Sequence, residues 1–270
     1  MENLNSINKD AWNAYQSDYM KFHLMERPDF FEFYINGGVD LDEFLPAMLG
    51  DVKGLKLLDT CCACDAKQAF SWHNLGAVVT ACDISDKAIE IASQNAAKMK
   101  FDMEFVVADM QTLRPVGDNL YDVVFATYPV WVQDIAQACR TWHRVLKPGG
   151  RLLWHTSHPI VDCIEERENG LFIVQDYNVP AAIMYDKFDG TPMAERQAGG
   201  WSVDLPVAEH FWRVSDLINA VCDAGFTVRK VNESYEERNA HKHTGREVIS
   251  SEPEMLKMPG EFTILAVKGD

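Results

Sequence analysis

The sequence has little positive charge, and it lacks any stretch typical of an export signal or a membrane span. Its 270 residues carry 25 Lys and Arg against 41 Asp and Glu, a formal net charge of −16. Because a field of that sign repels phosphate backbones and anionic lipid surfaces, we expect neither a nucleic-acid partner nor a membrane partner. The N-terminus, MENLNSINKDAW, has no basic and apolar regions of the signal-peptide kind. No apolar run approaches the roughly 20 residues that cross a bilayer.

A disulfide framework is also missing. The seven cysteines are an odd number at scattered spacings, which does not suit paired disulfides. Reduced thiols predict a cytoplasmic location. What the chain does have is apolar material, since 47% of it is hydrophobic, with 14 Phe, 8 Tyr and 7 Trp. A large folded core is therefore expected, and a small molecule or a cationic ligand is the partner that the charge favours.

Short apolar runs alternate with amphipathic helical segments from Lys56 onward. The runs are LKLLD, AVVTACD, MEFVVAD, YDVVFATY and RLLWHTSHP. This alternation predicts an α/β fold, with a doubly wound, mostly parallel sheet and helices on both faces. We predict a helical N-terminal cap over residues 1–50, the sheet core over 51–160, an insertion or lid over 161–205, and a helix and strands over 206–270 that complete the same domain.

Acidic residues follow three successive predicted strands. Asp59, Asp83 and Asp109 end the first, second and third runs. In open parallel sheets, ligands bind beyond the carboxyl ends of the strands, and an acidic residue after the second strand can accept hydrogen bonds from ribose hydroxyls. An acidic residue after the third strand can contact an adenine edge. A single such residue can equally cap the next helix, but three in register favour a nucleotide site.

From Leu57 to Pro159 the chain resembles the class I S-adenosyl-L-methionine-dependent methyltransferases, which have a Rossmann-like fold. The matching segments are LLDTCCACD, VVTACDIS, FVVADM, YDVVFATY and RVLKPGGRLLWHTSHP. The resemblance implies S-adenosylmethionine (SAM) as cofactor or substrate, and a seven-stranded sheet whose last strand is antiparallel. It also implies a set of cofactor-binding residues, namely Asp59, Cys61, Ala63, Asp65, Asp83, Ile84, Asp109, Met110 and Tyr128.

The first motif departs from the family's usual form, which is an acidic residue followed by three alternating glycines. Here Cys61, Ala63 and Asp65 stand at the glycine positions, so the chain resembles a branch with a glycine-free first motif. Glycine permits positive φ and close backbone approach. Cysteine and alanine are small, and aspartate tolerates the left-handed region better than most residues. We interpret the turn as a cofactor loop rebuilt without glycine, with Asp65 near the α-ammonium of SAM.

Further candidates come from the segments around this core. His158 follows the fifth strand and is either a general base or a residue that hydrogen-bonds a loop carbonyl, whereas His155 is expected in the core. The other catalytic candidates are Tyr128, Tyr177 and Asn178. Tyr15, Tyr19 and Trp131 are candidates for the substrate pocket, and the N-terminal aromatic residues are either core packing or a lid. The side chains of His241 and His243 are expected in solvent.

A metal site is not predicted. Cys61, Cys62, Cys64 and Cys82 could converge, but Cys-x-Cys matches structural zinc motifs weakly, and free cysteine is often a small buried hydrophobic residue. We therefore interpret these cysteines as packing residues.

The sequence favours a SAM-dependent methyltransferase that acts on a small organic molecule. One alternative is an enzyme that consumes SAM without methylation, in which the aminobutyrate arm cyclises to azetidine-2-carboxylate and methylthioadenosine leaves. A second alternative is a non-catalytic binding module of the same fold. The oligomeric state and the methyl acceptor are left open.

Overall fold

A seven-stranded sheet forms the centre of the protein. The structure, a computed structural model, describes residues 4–167, 170–186, 204–234 and 258–269. The strands of the sheet are β1 (Lys56–Asp59), β2 (Val78–Asp83), β3 (Glu104–Val107), β4 (Tyr121–Ala126), β5 (Leu146–Ser157), β10 (Phe226–Ser234) and β11 (Glu261–Lys268). Their order across the sheet is β10-β11-β5-β4-β1-β2-β3. Strand β11 is antiparallel to both neighbours, and the pairs among β1 to β5 are parallel. The predicted fold class is confirmed.

Helices cover the two faces of the sheet. They are α1 (Leu4–Glu26), α2 (Phe30–Ile35), α3 (Phe44–Leu49), α4 (Lys67–Asn74), α5 (Asp86–Met99), α6 (Ile135–Val145) and α7 (Val214–Asp223). Alternate residues of β1 enter opposite core layers. Leu57 packs with α4, α5 and the N-terminal helices, and Leu58 packs with α6 and α7. None of the helices in the described part of the chain has the length and apolar content that crossing a bilayer requires.

Local signals in the sequence account for several helix ends. Helix α5 begins after Ser85, whose hydroxyl accepts a hydrogen bond from the amide of Ala88 at 3.0 Å. It ends at Lys100, which takes the left-handed conformation at φ 60°. Helix α4 ends two residues before Gly76, which has a φ of 92° and terminates the helix.

Two antiparallel hairpins follow β5. The first pairs β6 (Ile164–Arg167) with β7 (Gly170–Ile173), and the second pairs β8 (Ala181–Tyr185) with β9 (Val207–Phe211). The second hairpin therefore crosses the predicted boundary at residue 205. Its strand β9 is held against α1 by the buried side chain of Asn8, which donates to the carbonyl of Ala208 and accepts from its amide, both at 2.8 Å.

The strand order reverses between β1 and β4. Strand β1 lies between β2 on one side and β4 on the other, so the connections leave its carboxyl end in opposite directions. In doubly wound folds this switch point opens a crevice in which ligands bind.

Candidate functional site

The turn after β1 is held by hydrogen bonds from its backbone amides to the ends of β1 and β2. The amide of Cys61 donates to Asp59 Oδ1 at 3.2 Å, and the amide of Ala63 donates to Asp83 Oδ2 at 3.0 Å. The amide of Cys62 donates to the carbonyl of Cys82 at 2.8 Å. The carboxylates at the ends of β1 and β2 therefore shape the turn that glycines shape in the usual form of this motif.

Two alanines in this turn take the left-handed conformation. Ala63 has a φ of 53° and Ala66 a φ of 45°. Ala63 stands at one of the glycine positions, as expected. The other left-handed residue is Ala66, one position after Asp65. Since β-carbon contacts make this region costly for alanine by about 1–2 kcal/mol, the surrounding packing must stabilise the turn.

The cysteines of the turn are buried packing residues. Cys62 and Cys64 are fully buried, and the Cys64 thiol donates to the carbonyl of Gln16 at 3.3 Å. Burial raises the pKa of the Cys61, Cys62 and Cys64 thiols well above the ordinary value. These thiols are neutral at physiological pH, which makes them poor nucleophiles and poor metal ligands.

Two buried carboxyl groups stand at the ends of β1 and β2. Burial raises the pKa of Asp59 to about 7, although its bond from Cys61 opposes the rise. Burial likewise raises the pKa of Asp83 to about 6, even though Asp83 Oδ1 also accepts from the amide of Ser85 at 2.8 Å. A bound ligand that donates hydrogen bonds or carries positive charge would stabilise the ionised forms.

Buried polar atoms without hydrogen-bond partners cluster at the switch point. Within the described residues, these atoms include Asp59 Oδ2, Thr60 Oγ1, Asp65 Oδ2 and Thr127 Oγ1, which belong to the carboxyl ends of β1 and β4 and to the turn between β1 and α4. Unpaired buried polar groups are costly and usually have an explanation. The donor groups of SAM, its hydroxyls and its ammonium, match these oxygens, so the residues fit the predicted cofactor.

The segment after β3 is linked to the N-terminal helix. Asp109 accepts hydrogen bonds from the Asn5 side chain at 2.9 Å and from the amide of Gln111 at 2.8 Å. Met110 is buried, and Ile84, which follows β2, is half-buried. The structure thus has these three predicted cofactor-binding residues at the carboxyl ends of adjacent strands.

Helix α1 lies across the carboxyl ends of the strands. Asn13 Oδ1 accepts from the Ser85 hydroxyl at 2.7 Å, and Gln16 Oε1 accepts from the amide of Cys64 at 3.1 Å. Farther along the helix, His23 Nε2 lies 3.4 Å from Asp65 Oδ2. Burial lowers the pKa of His23, with Asp65 opposing the change, so the ring is neutral at pH 7.

The three residues predicted for the substrate pocket meet in one aromatic cluster. Tyr15, Tyr19 and Trp131 pack together with Trp12 against β9. The ring of Trp12 lies 5.1 Å from that of Trp131 and 5.4 Å from that of Tyr15, both edge to face. This cluster ties α1 to the segment after β4.

A cleft that is continuous with solvent opens beside the switch point. Its lining includes residues of the α2–α3 loop, the start of α4, the segment after β4 and the end of β5, namely Asp40, Asp42, Lys67, Gln68, Thr127, Tyr128, His155, Ser157 and Glu261. Tyr128 is the predicted site residue that lies on this cleft. It has a φ of 52°, a costly conformation for a bulky residue that is enriched at functional sites.

Three catalytic candidates lie elsewhere in the structure. His158 uses both ring nitrogens, since Nδ1 accepts from the amide of Ile160 at 3.1 Å and Nε2 contacts Glu233 Oε1 at 2.9 Å. Tyr177 accepts from the amide of Val214 through its hydroxyl at 3.1 Å.

Asn178, the third candidate, is exposed and hydrogen-bonds Asp176. The described lining of the cleft contains none of the three. The geometry therefore favours the local hydrogen-bonding interpretation of His158 over general-base catalysis.

His155 occupies the cleft wall instead. The sequence prediction assigned it to the core, but it is half-buried and lines the cleft. The signal that could have found it is the strand alternation. Along β5, Trp154 and Thr156 are buried whereas His155 and Ser157 are half-buried, so the latter two share the more accessible face.

Comparisons with known proteins agree with this geometry. Residues 58–154 match the family described as a methyltransferase domain. The malonyl-[acyl-carrier protein] O-methyltransferase of Pseudescherichia vulneris is 34% identical over 116 residues, which cover 42% of this chain and 43% of that protein. The demethylmenaquinone methyltransferase of Staphylococcus epidermidis is 34% identical over 119 residues, covering 42% of this chain and 48% of that protein. The chain thus spans less than half the length of either curated relative.

A solved structure extends the likeness over most of the chain. The S-adenosylmethionine-dependent methyltransferase of Mesorhizobium loti matches with a TM-score of 0.61 and 24% identity, over 83% of this chain and 96% of that one. At that identity the match shows a shared fold.

Proposed function

We propose that this chain, in which residues 58–154 match a methyltransferase domain, transfers a methyl group from SAM to a small organic molecule. The observation that carries the proposal is the cluster of unpaired buried oxygens at the switch point, directly beside an open cleft. The oxygens provide acceptors for a cofactor, and the cleft provides space for a second molecule.

The chain's carboxylates hold the cofactor in this proposal. Asp83 accepts hydrogen bonds from the ribose hydroxyls, since each of its oxygens retains a lone pair after bonding the turn. Asp109, Met110 and Ile84 flank the adenine. The turn from Cys61 to Asp65 faces the methionine half.

Asp59 and Asp65 supply negative charge near that methionine half. Both have a buried oxygen without a hydrogen bond among the described residues. An ammonium group placed between them would satisfy these oxygens, and it would favour the ionised form of Asp59. This is the role that we assign to the aspartate at the last glycine position.

Residues 1–50 act as a lid in this account. Hydrogen bonds that Asn5 donates and that Asn13 and Gln16 accept join α1 to the segments that follow β1, β2 and β3. Methyl transfer is a displacement at carbon that needs alignment of donor and acceptor and exclusion of water. When bound, SAM supplies the electrophilic methyl group, and the lid and the aromatic cluster exclude water from it.

The cleft supports methyl transfer over cyclisation of SAM. A cyclase must fold the aminobutyrate arm of SAM onto itself and has no need of a second binding space. Here a cleft open to solvent lies beside Tyr128 and Thr127, so a second molecule can approach the switch point from outside.

A product analysis tests the proposal and its alternatives. The purified protein is incubated with SAM alone and with pools of small amines, phenols and carboxylic acids, and products are resolved by mass spectrometry. Acceptor-dependent S-adenosylhomocysteine together with a product heavier by one methylene is the expected result.

Two other results would contradict it. Methylthioadenosine and a cyclic amino acid formed from SAM alone would identify a cyclase. Failure to bind SAM in calorimetry would favour the alternative of a non-catalytic binding module. The Tyr128→Phe variant is compared with the wild-type protein in the same assay, since this substitution keeps the aromatic ring on the cleft and removes only the hydroxyl group.

A further inference from the structure

Three potential metal ligands meet on one wall of the cleft. Asp42 comes from the loop between α2 and α3, His155 from β5, and Glu261 is the first residue of β11. One donor atom from each lies within 4.8 Å of the other two. His155 Nε2 is 3.3 Å from Asp42 Oδ2 and 4.0 Å from Glu261 Oε1.

The separation between His155 Nε2 and Asp42 Oδ2 is close to that between two ligand atoms in a coordination sphere. Ligand atoms about 2.1 Å from an ion at tetrahedral angles are about 3.4 Å apart. The side chains of Asp42 and His155 are each 14% exposed, and that of Glu261 is 10% exposed. The group is thus largely shielded from bulk water while all three residues still line the open cleft.

Outer hydrogen bonds orient two of the three ligands. His155 Nδ1 lies 2.9 Å from the hydroxyl of the fully buried Thr263. The Ser234 hydroxyl donates to Glu261 Oε2 at 3.1 Å, and the other carboxylate oxygen, Oε1, faces His155. When Nδ1–H donates to Thr263, the lone pair of Nε2 faces the carboxylates. Such second-shell partners are typical of metal-binding histidines and carboxylates.

We propose that Asp42, His155 and Glu261 bind a divalent transition-metal cation of the zinc type. One imidazole and two carboxylates suit Zn²⁺ and Co²⁺. Three protein ligands leave a coordination position open to the cleft, as in catalytic rather than structural zinc sites. A lone-pair atom of a molecule in the cleft can fill that position, so the ion would orient an oxygen- or nitrogen-bearing ligand beside Tyr128.

The competing explanation is a hydrogen-bonded group in which the imidazole donates to Asp42. A separation of 3.3 Å is long for a hydrogen bond to a carboxylate, for which about 2.7–2.9 Å is usual.

Cobalt provides the first test, because its spectrum reports the ligand type. The ligand-free protein is treated with a chelator, dialysed and titrated with Co²⁺. We expect one equivalent to bind with visible d–d bands and without the near-ultraviolet charge-transfer band of thiolate ligation. Thiolate bands would assign the ion to the cysteines and overturn the proposal, as would the absence of stoichiometric binding.

Variants provide the second test, and their affinity for Zn²⁺ is measured by calorimetry. Second-shell partners alone are worth about 10- to 100-fold in affinity, so Glu261→Gln and His155→Ala should each weaken binding by about 100-fold or more. His143→Ala is the matched control, since this histidine packs on Phe226 away from the cleft. Unchanged affinity in the folded Glu261→Gln protein, checked by circular dichroism, would overturn the proposal.

The measurement is independent of the proposed methyl transfer. Binding of the cation is read without SAM, so a failure here leaves the methyltransferase assignment intact. Conversely, a protein that binds Co²⁺ but never methylates an acceptor would retain the metal site.

Discussion

Replacing Asp59 by asparagine should change how the stability of the ligand-free protein depends on pH. Asp59 is 1% exposed, and burial raises its pKa from 3.8 to about 7. Because the folded state holds this proton more tightly than the unfolded chain, the carboxyl group favours folding at low pH. That contribution is lost as the pH rises from 3.8 through the folded pKa near 7.

The size of the effect follows from the pKa. Each pKa unit corresponds to 1.36 kcal/mol. Between pH 5 and pH 8 the wild-type protein should lose about 3 kcal/mol of unfolding free energy through Asp59, because the loss runs from pH 5 to about 7. Asparagine does not titrate, so the unfolding free energy of the Asp59→Asn protein should fall by about 3 kcal/mol less than that of the wild type between pH 5 and pH 8.

Urea denaturation at pH 5 and pH 8 measures this difference directly. Comparing two pH values removes any effect of the substitution that does not depend on pH. Asp102→Asn is the matched control, since that carboxylate is exposed and its variant should follow the wild-type profile. Parallel profiles for Asp59→Asn and the wild type would refute the reasoning, because they would mean that Asp59 ionises in the folded protein without cost.

Two further predictions concern the second strand and the end of α5. Asp83→Asn should weaken SAM binding by about 10- to 100-fold in calorimetry, since bonds to charged groups are worth about 1.5–3 kcal/mol. Wild-type affinity should also fall by about tenfold from pH 8 to pH 5, because protonation near pKa 6 competes with the ligand; a pH-independent affinity would contradict the assignment. Lys100→Gly should stabilise the fold by about 1 kcal/mol in thermal unfolding, because Lys100 is exposed and left-handed. Ala97→Gly inside the same helix should destabilise the fold by about as much. If both substitutions changed the stability equally, the assignment of Lys100 as the left-handed C-terminal cap would be contradicted.

Local patterns in the sequence were sufficient to predict the strands of the sheet. The apolar runs and intervening helical segments predicted the strands in order, and the family resemblance implied the antiparallel last strand that β11 forms. Strand ends also located Asp83 and Asp109, because a residue that ends a parallel strand lies at the ligand-binding edge whatever its neighbours are.

The cleft depends on contacts that no local pattern contains. Asp42, His155 and Glu261 are far apart in the chain and meet only because β11 pairs with β5 and the α2–α3 loop reaches β5. The sequence interpretation placed His155 in the core because it used position along the strand and not the alternation of strand faces, which leaves His155 half-buried on the cleft. The left-handed conformation of Ala66 was not predicted, because residue preference cannot locate it within a rebuilt turn.

A crystal structure with S-adenosylhomocysteine would show directly whether the residues at the strand ends bind the cofactor as proposed. We expect both ribose hydroxyls within hydrogen-bonding distance of Asp83, the ammonium near Asp59 and Asp65, and the sulfur facing the cleft at Tyr128. A ribose bound away from Asp83, or a site that stays empty at saturating ligand concentration, would contradict it.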